Sequence, residues 1–402
     1  MAFKMPFLDY LTKADLAILL ACSIFLITYI CLILYFAIHL IKGKHFIFHQ
    51  KIKVKEDKSK LFPFVSLVVA FRNEAEYLPK LLDCLIIQDY PVDRFEVLLS
   101  DDYSTDDSNA IVRDYAKRYP HIRLILTGPS KNKQKTGKKN ALFRAIQQSS
   151  GEIILATDAD CKMGKHWIKS VGGFFSEHPQ TQMLIAPVDI ISERGRFFSH
   201  LQSLEFMSLT GSTAGSAFAG KPIMCNGANL AFRRKSYLSV KECMPGEKFA
   251  SGDDMFLLEC MQRNAQGSIS FLKSEKAIVK THAVKSLREF VFQRVRWSSK
   301  ARGYTNRFTI FVGATVASLN LMLAALMLYV PFRADELFIP VILFFFMKLI
   351  ADFILVFPIA KFLHKTNLLL YMPIVSAVYP FYVLLVLLFA IFYRGKWKNR
   401  RI

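Results

Sequence analysis

Two blocks of apolar sequence bracket everything else in this chain. Residues 15–41 carry no charged side chain after Asp15. That run exceeds the roughly 20 apolar residues that a helix needs to cross the hydrocarbon core of a bilayer. It also exceeds the ~7–15 residues of a signal-peptide core, and no small-residue cleavage site follows it. The second block fills the C-terminal quarter, with candidate spans at 308–332, 337–362 and 369–393. The stretch between the blocks is rich in charge. The division expected is an N-terminal membrane helix (1–42), a cytosolic globular domain (43–285), an amphipathic interface helix (286–307) and a C-terminal membrane region (308–402).

Charge sets the orientation. The formal net charge is +21. Lys42, Lys44, Lys51, Lys53, Lys55, Lys58 and Lys60 crowd just after the first span, which places the globular part in the cytoplasm by the positive-inside rule. Attraction to anionic lipid accounts for part of the excess, and phosphate-bearing substrates for more. Nucleic acid is not an expected partner, because no nucleic-acid motif accompanies the charge. Three later spans leave the basic tail RGKWKNRRI on the wrong side. Lys348 and Asp352 within one candidate span, and Pro373 and Pro380 within another, allow one segment to be re-entrant or interfacial. The seven cysteines form no C-x-x-C pair. Neither a zinc site nor a disulfide framework is read, and reduced thiols are expected.

Between the blocks, short Val- and Ile-rich runs at 64–71, 95–100, 122–127 and 152–158 read as buried strands. Helices are expected from Asn73 to about Leu85, from the acids after residue 100 to about Tyr119, and from about Asn140 to Gln148. Strands alternating with helices imply an α/β fold with a mostly parallel sheet. Ligands bind such sheets beyond the carboxyl ends of the strands. Polar residues stand at those ends: Arg72-Asn73-Glu74, Asp101-Asp102 and Asp158-Ala159-Asp160.

These residues have definite chemistry. Alternate side chains of an extended segment project to one side, so Asp158 and Asp160 can share a hard divalent cation, Mg²⁺ or Mn²⁺. A solvated turn is the rival reading. Lys135, Lys138 and Lys139 beside a helix start suit a diphosphate, although the P-loop spacing is absent. Gly252 permits a tight turn before Asp253-Asp254. Those acids are either helix-capping residues or a general base whose pKa a neighbouring like charge raises. Residues 286–303 carry a capping box, Ser286 with Glu289. Gln293, Arg296 and Trp297 fall on one helix face and suit a sugar or a phosphate. A basic helix lying on a membrane surface is the alternative. His282 is read as an ordinary histidine before a third metal ligand.

Together the segments VVAFRNE, LLSDDYSTD, KTGKKNAL, TDADC, NGANLAFRR, SGDDMF and QRVRW, in that order over 64–303, resemble the membrane-bound, inverting family 2 glycosyltransferases. Cellulose, chitin, hyaluronan and poly-N-acetylglucosamine synthases are in that group. The resemblance implies a GT-A fold, Rossmann-like, with one N-terminal and about three C-terminal transmembrane helices. By it, Glu74, Asp101 and Asp102 hold the nucleoside. Lys135 and Lys138 serve the donor, Asp158 the ribose-diphosphate, and Asp160, with Asp158, the metal. Asp254 is the base with Asp253 beside it, where the family more often has Glu. Gln293, Arg296 and Trp297 match Q-x-x-R-W, and Asn226 and Gly227 line the acceptor pocket with Trp297. The resemblance further implies a UDP-sugar donor, Mg²⁺ or Mn²⁺, and a glycan or lipid-linked acceptor at the inner face of a bacterial inner membrane. Other envelope-glycan assembly proteins are expected partners. The alternatives are a single-transfer glycolipid synthase like ceramide glucosyltransferase, and a non-catalytic membrane scaffold.

Overall fold

The structure is a computed structural model that describes residues 12–48, 62–126, 137–191, 197–244, 252–264, 268–392, 396–397 and 400–401. In chain order, α1 (Lys13–Lys42) is followed by β1 (Val65–Phe71), α2 (Leu78–Ile86), β2 (Phe95–Asp101), α3 (Ser108–Arg118), β3 (Ile122–Ile125), α4 (Lys138–Gln147) and β4 (Ile153–Asp158). Then come β5 (Lys162–Met163), α5 (Trp167–Glu177), β6 (Met183–Ile185), β7 (Val188–Ile191) and α6 (Phe197–Phe218). β8 (Leu230–Arg233), α7 (Arg234–Val240), α8 (Asp253–Asn264), β9 (Ile269–Phe271) and β10 (Val279–His282) follow. The last elements are α9 (Leu287–Ser298), α10 (Arg307–Tyr329), α11 (Ala334–Phe362), α12 (Met372–Phe392), β11 (Lys396–Trp397) and β12 (Arg400–Arg401).

These elements form two compact units. One is a sheet unit made of Gly43–Arg194, Ala217–Ala283 and Arg394–Ile402. The other is a helical unit made of Met1–Lys42, Gly195–Ser216 and Val284–Tyr393. The division cuts the chain differently from the contiguous 43–285 domain read in the sequence. Most of α6 joins the helical unit, so the sheet unit is discontinuous.

In the sheet unit a seven-stranded sheet runs β3-β2-β1-β4-β8-β6-β9, beside a small sheet β5-β10-β7. β3, β2, β1 and β4 are mutually parallel, and β8 turns antiparallel to both its neighbours. Every residue of β1 and β2 is buried, as expected for a sheet covered on both faces. The register sets Asp101 opposite Phe71 on one side of β1 and Asp158 opposite Ala70 on the other. Asn229, fully buried, ties the far side together. Its amide donates to the carbonyls of Pro187 and Ala277 at 2.8 Å each, and its oxygen accepts from the Trp167 indole at 3.0 Å.

Three details differ from the sequence reading. The helix expected from Asn73 begins at Leu78, because Asn73 takes a left-handed φ of 51° and gives its N–H to the Ser104 hydroxyl. The helix expected after Asp101 begins only at Ser108, since Asp101 accepts from the Ser104 N–H and the Asn109 amide. Cys243 and Cys260, expected as thiols, form a disulfide with a Cα–Cα distance of 5.9 Å. Their separation of 17 residues carries no local signature, so only the fold brings them together.

Among the described residues, the helical unit has four helices long and apolar enough to cross a membrane: Lys13–Lys42, Arg307–Phe332, Leu337–Phe362 and Thr366–Phe392. α1 and α11 run in the same direction. Cys22 packs with Leu337, and further along the Tyr29 hydroxyl donates to Asp352 at 2.6 Å. α10 runs the other way, with Phe308 against Phe36 and Leu326 against Cys22. Arg333, between α10 and α11, pairs with Asp15 at 3.2 Å. Lys348, 2% exposed, pairs with Asp352 at 2.6 Å. These two charges therefore face the bundle rather than lipid, which makes them compatible with a spanning helix. α6 crosses the end where α1 and α11 finish. A Cβ on Gly215 would stand 2.4 Å from the Phe36 carbonyl oxygen, and one on Gly211 would stand 3.3 Å from Leu355 and Ile359. Only glycine allows the first approach.

Candidate active site

In the sheet unit the acids gather where the parallel strands end. Asp102 follows β2 and is fully buried. Its Oδ1 accepts the Gly137 N–H, just before α4, at 2.8 Å. Among the described residues its Oδ2 accepts no hydrogen bond, and Arg72 stands 4.0 Å away. An acceptor left so costs about 1–3 kcal/mol, which an arriving donor group recovers. Glu74 sits at the end of β1, where the Ser108 hydroxyl accepts its N–H at 2.8 Å. The helix start expected to cradle a diphosphate is real, but its lysines are committed elsewhere. Lys138 pairs with Asp158, and Lys139 with Asp253 at 3.3 Å. Lys135 lies outside the described residues.

Asp160 follows Asp158 in the turn after β4. The Thr281 hydroxyl donates to its Oδ2 at 3.2 Å. Burial pushes its pKa up, the negative charge of Asp158 adds to that, and Lys138 offsets part of it. The next residue, His282, has a buried Nε2 with no hydrogen bond among the described residues, and its ring lies 5.5 Å from that of Tyr77. Two hard carboxylates with surplus negative charge and an unsatisfied imidazole nitrogen fit a divalent cation. Among the described residues no three such side chains are yet gathered closely enough to enclose one.

The second acid pair opens α8. Gly252 takes φ 102°, a conformation that side chains resist, and turns the chain into the helix. The Gly227 N–H donates to Asp254 Oδ2 at 3.2 Å, and the Cys225 thiol donates to the Asp254 carbonyl oxygen at 3.2 Å. The NGAN segment and the expected base are therefore neighbours. Asn226 spends its own oxygen on the Ala228 N–H at 3.0 Å. The carboxyl whose pKa rises is Asp253. Burial raises it, Lys139 opposes the rise, and Asp254 adds to it.

Gln293, Arg296 and Trp297 stand on α9 in the helical unit. Ser286 caps that helix by accepting the Glu289 N–H at 3.2 Å, and the Glu289 carboxylate reaches back to the Lys285 N–H at 3.2 Å. The buried guanidinium here is Arg294, not Arg296. Arg294 Nε donates to both oxygens of Glu205 on α6 at 3.0 and 3.2 Å, and an Nη donates to one of them as well. Its other Nη donates to the Gln293 amide oxygen. Its plane lies 4.3 Å from the Trp297 ring and 4.4 Å from that of Phe290. Arg296, half-buried, makes no side-chain hydrogen bond or ion pair among the described residues, so its fork is open to an anion. Sequence reasoning missed Arg294 and Glu205. The available signal was Glu205 itself, the one formal charge between Phe197 and Phe218, since a buried carboxylate demands a partner.

Residues 66–240 match as a glycosyltransferase family 2 domain. The beta-monoglucosyldiacylglycerol synthase of Synechocystis is 32% identical over 144 residues, 36% of this chain and 29% of that protein. Glycosyltransferase AglE of Haloferax volcanii is 32% identical over 107 residues, 27% of this chain and 34% of that protein. The poly(ribitol-phosphate) beta-N-acetylglucosaminyltransferase TarS of Staphylococcus aureus is 32% identical over 120 residues, 30% of this chain and 20% of that protein. The matched region thus spans about a third or less of these curated relatives. Among solved structures, the mannosyltransferase PcManGT of Pyrobaculum calidifontis, in complex with GDP-Man and Mn²⁺, superposes with a TM-score of 0.55 at 20% identity. The match covers 91% of this chain and 98% of that one. The fold is GT-A: a Rossmann-like, mostly parallel sheet.

Proposed function

We propose that the chain is an inverting glycosyltransferase that moves a sugar from a nucleotide sugar, most simply a UDP-sugar, to a hydroxyl at the inner face of the membrane. The acceptor is a lipid-linked or growing glycan of the cell envelope. One observation carries this reading. Within the segment that matches family 2, Asp101-Asp102 and Asp158 close the strands on either side of β1, on the rim where such sheets take ligands.

The chain's own groups divide the work. Asp102 Oδ2 and Glu74 take the nucleoside, with Asp101 holding the turn. Lys138 exchanges its bond with Asp158 for the diphosphate. Asp158 and Asp160, with His282 beside them, would hold Mg²⁺ or Mn²⁺. That ion would neutralise charge on the departing nucleoside diphosphate. Asp254, oriented by the Gly227 N–H, takes the proton from the acceptor hydroxyl. The acceptor oxygen then bonds to the anomeric carbon as the bond to the diphosphate breaks on the opposite face. Asn226 and Gly227 border the acceptor.

The glycolipid synthases among the relatives favour a second form of the same chemistry, one sugar placed on a lipid. Product length by mass spectrometry separates the two. The decisive experiment is a nucleotide-release screen. Membranes carrying the protein are given UDP- and GDP-sugars with Mg²⁺ or Mn²⁺, with and without lipid extract. Asp254→Asn should bind donor yet lose transfer by roughly 10²–10⁴-fold. Unimpaired turnover in that variant removes the assigned base, and release from no donor removes the reading.

A further inference from the structure

We infer that α12 does not cross the membrane: it enters and leaves by the cytosolic face, with its apolar flank in the acyl chains of that leaflet. This rests on reading α1, α10 and α11 as spans. The helices define two ends of the bundle. At one end α1 and α11 finish, α10 starts, and α6 passes across Phe36, Leu355 and Ile359. At the other stand Asp15 and Arg333.

Both termini of α12 are fastened to the first end. Just before α12, Lys365 Nζ is 3.1 Å from the Ser203 hydroxyl of α6, and the Tyr371 ring meets Phe197 and His200 at 5.4 and 5.5 Å. At its finish, Val386 and Ala390 pack on Val295 of α9. There Arg302, five residues before α10, donates to the terminal carbonyls of Ala390 and Ile391 at 3.3 and 3.0 Å. In between, the Tyr382 hydroxyl donates to Glu205 at 3.2 Å. A helix of 21 residues is about 31 Å long at ~1.5 Å per residue. Standing upright, it would carry Ala390 a full bilayer away from Arg302. It must therefore return to the end it starts from, with its middle turned toward the bundle, where the Tyr379 ring lies 5.3 Å from Lys348 Nζ.

Its chemistry fits one leaflet. α12 has no charged side chain. Ile374, Val378, Leu388 and Phe389 are about half exposed, and Phe392 is 80% exposed. Lys42, Lys361, Lys365 and Arg302 mark the same end as basic, which is the cytosolic signature. The basic tail then emerges on the cytosolic side, and the conflict raised by three C-terminal crossings disappears.

The test marks both ends. A protease-sensitive epitope follows Ile402, and Phe332→Cys, at an 80% exposed position, reports the turn between α10 and α11. A membrane-impermeant maleimide is scored against the parent chain. In inverted inner-membrane vesicles the epitope should be cut and the position-332 thiol shielded, and in spheroplasts the reverse. Finding the two markers on the same face, whichever face it is, overturns the inference. If Phe332→Cys fails to insert, the epitope decides alone, and its cleavage in spheroplasts is the contrary result. The outcome needs no donor sugar, so it stands apart from the transferase reading. Asp254→Asn, inactive in transfer, should give the same labelling.

Discussion

The two units differ in how the buried charges at their centres are partnered, although Asp15 Oδ1 in the helical unit lacks a hydrogen bond among the described residues and Glu96 in the sheet unit is fully bonded. In the helical unit the Glu205–Arg294 pair is closed: both carboxylate oxygens accept, the guanidinium also holds Gln293, and the Phe290 and Trp297 rings lie close to it. Lys348, Asp352 and Tyr29 form a similar closed set. In the sheet unit, among the described residues, Asp102 keeps an oxygen without a hydrogen bond and His282 Nε2 has no hydrogen-bond partner, and Asp160 and Asp253 are held with raised pKa. Satisfied charge makes a scaffold. Charge left short of partners, at strand ends, is what the proposed donor site is built from.

The widest gap should appear on breaking the closed pair. Arg294→Ala leaves Glu205 buried without its cation, a loss of about 3–5 kcal/mol, read as a lower melting temperature in detergent. Glu205→Leu with Arg294→Met should recover most of that, since replacing both partners with apolar groups is often nearly neutral. Next comes the metal. Mn²⁺ with a nucleoside diphosphate at a hundred times its dissociation constant should stabilise the protein by about 2.7 kcal/mol, and Asp160→Asn should abolish the Mn²⁺-dependent part of the melting shift.

A smaller effect is expected from Asp102→Asn. Without ligand it should melt as the parent does or slightly higher, while nucleotide affinity by calorimetry falls roughly tenfold, within the ~1–3 kcal/mol of one buried polar contact. An equal loss of stability and affinity would make Asp102 an ordinary structural acid and erase the contrast between the units. Smallest is a pH effect. Asp253 has a raised folded-state pKa, so its contribution is fully present below the usual carboxylate range and is lost as pH climbs through the raised value. Asp253→Asn should flatten that decline in a melting series from pH 4 upward.

The strands that carry the acids were legible because fully buried parallel strands read as continuous Val, Leu and Ile runs, and the strand-end rule then located Asp101, Asp102, Asp158 and Asp160. The apolar helices were legible by length. α6 was not, because much of what it buries is polar: Ser199, Gln202, Ser203, Glu205 and Thr210 give no apolar stripe. β6 to β10 are only three or four residues each, too short for a period to show. The pairing of Lys139 with Asp253 and of Arg294 with Glu205 depends on chain segments far apart in sequence, which local pattern does not encode.

The excursion of α6 out of the sheet unit has a consequence for how the protein is made. A ribosome delivers α6 after α1 but long before α11, so Gly215 can find Phe36 at once while Gly211 waits for Leu355 and Ile359. Strands β8, β9 and β10 therefore emerge behind a helix that is only half seated. Trimming the gene to codons 43–285 should yield insoluble product, since the excised piece keeps α6 and discards Phe36, Leu355, Ile359 and Arg294, which pack against it or pair with it.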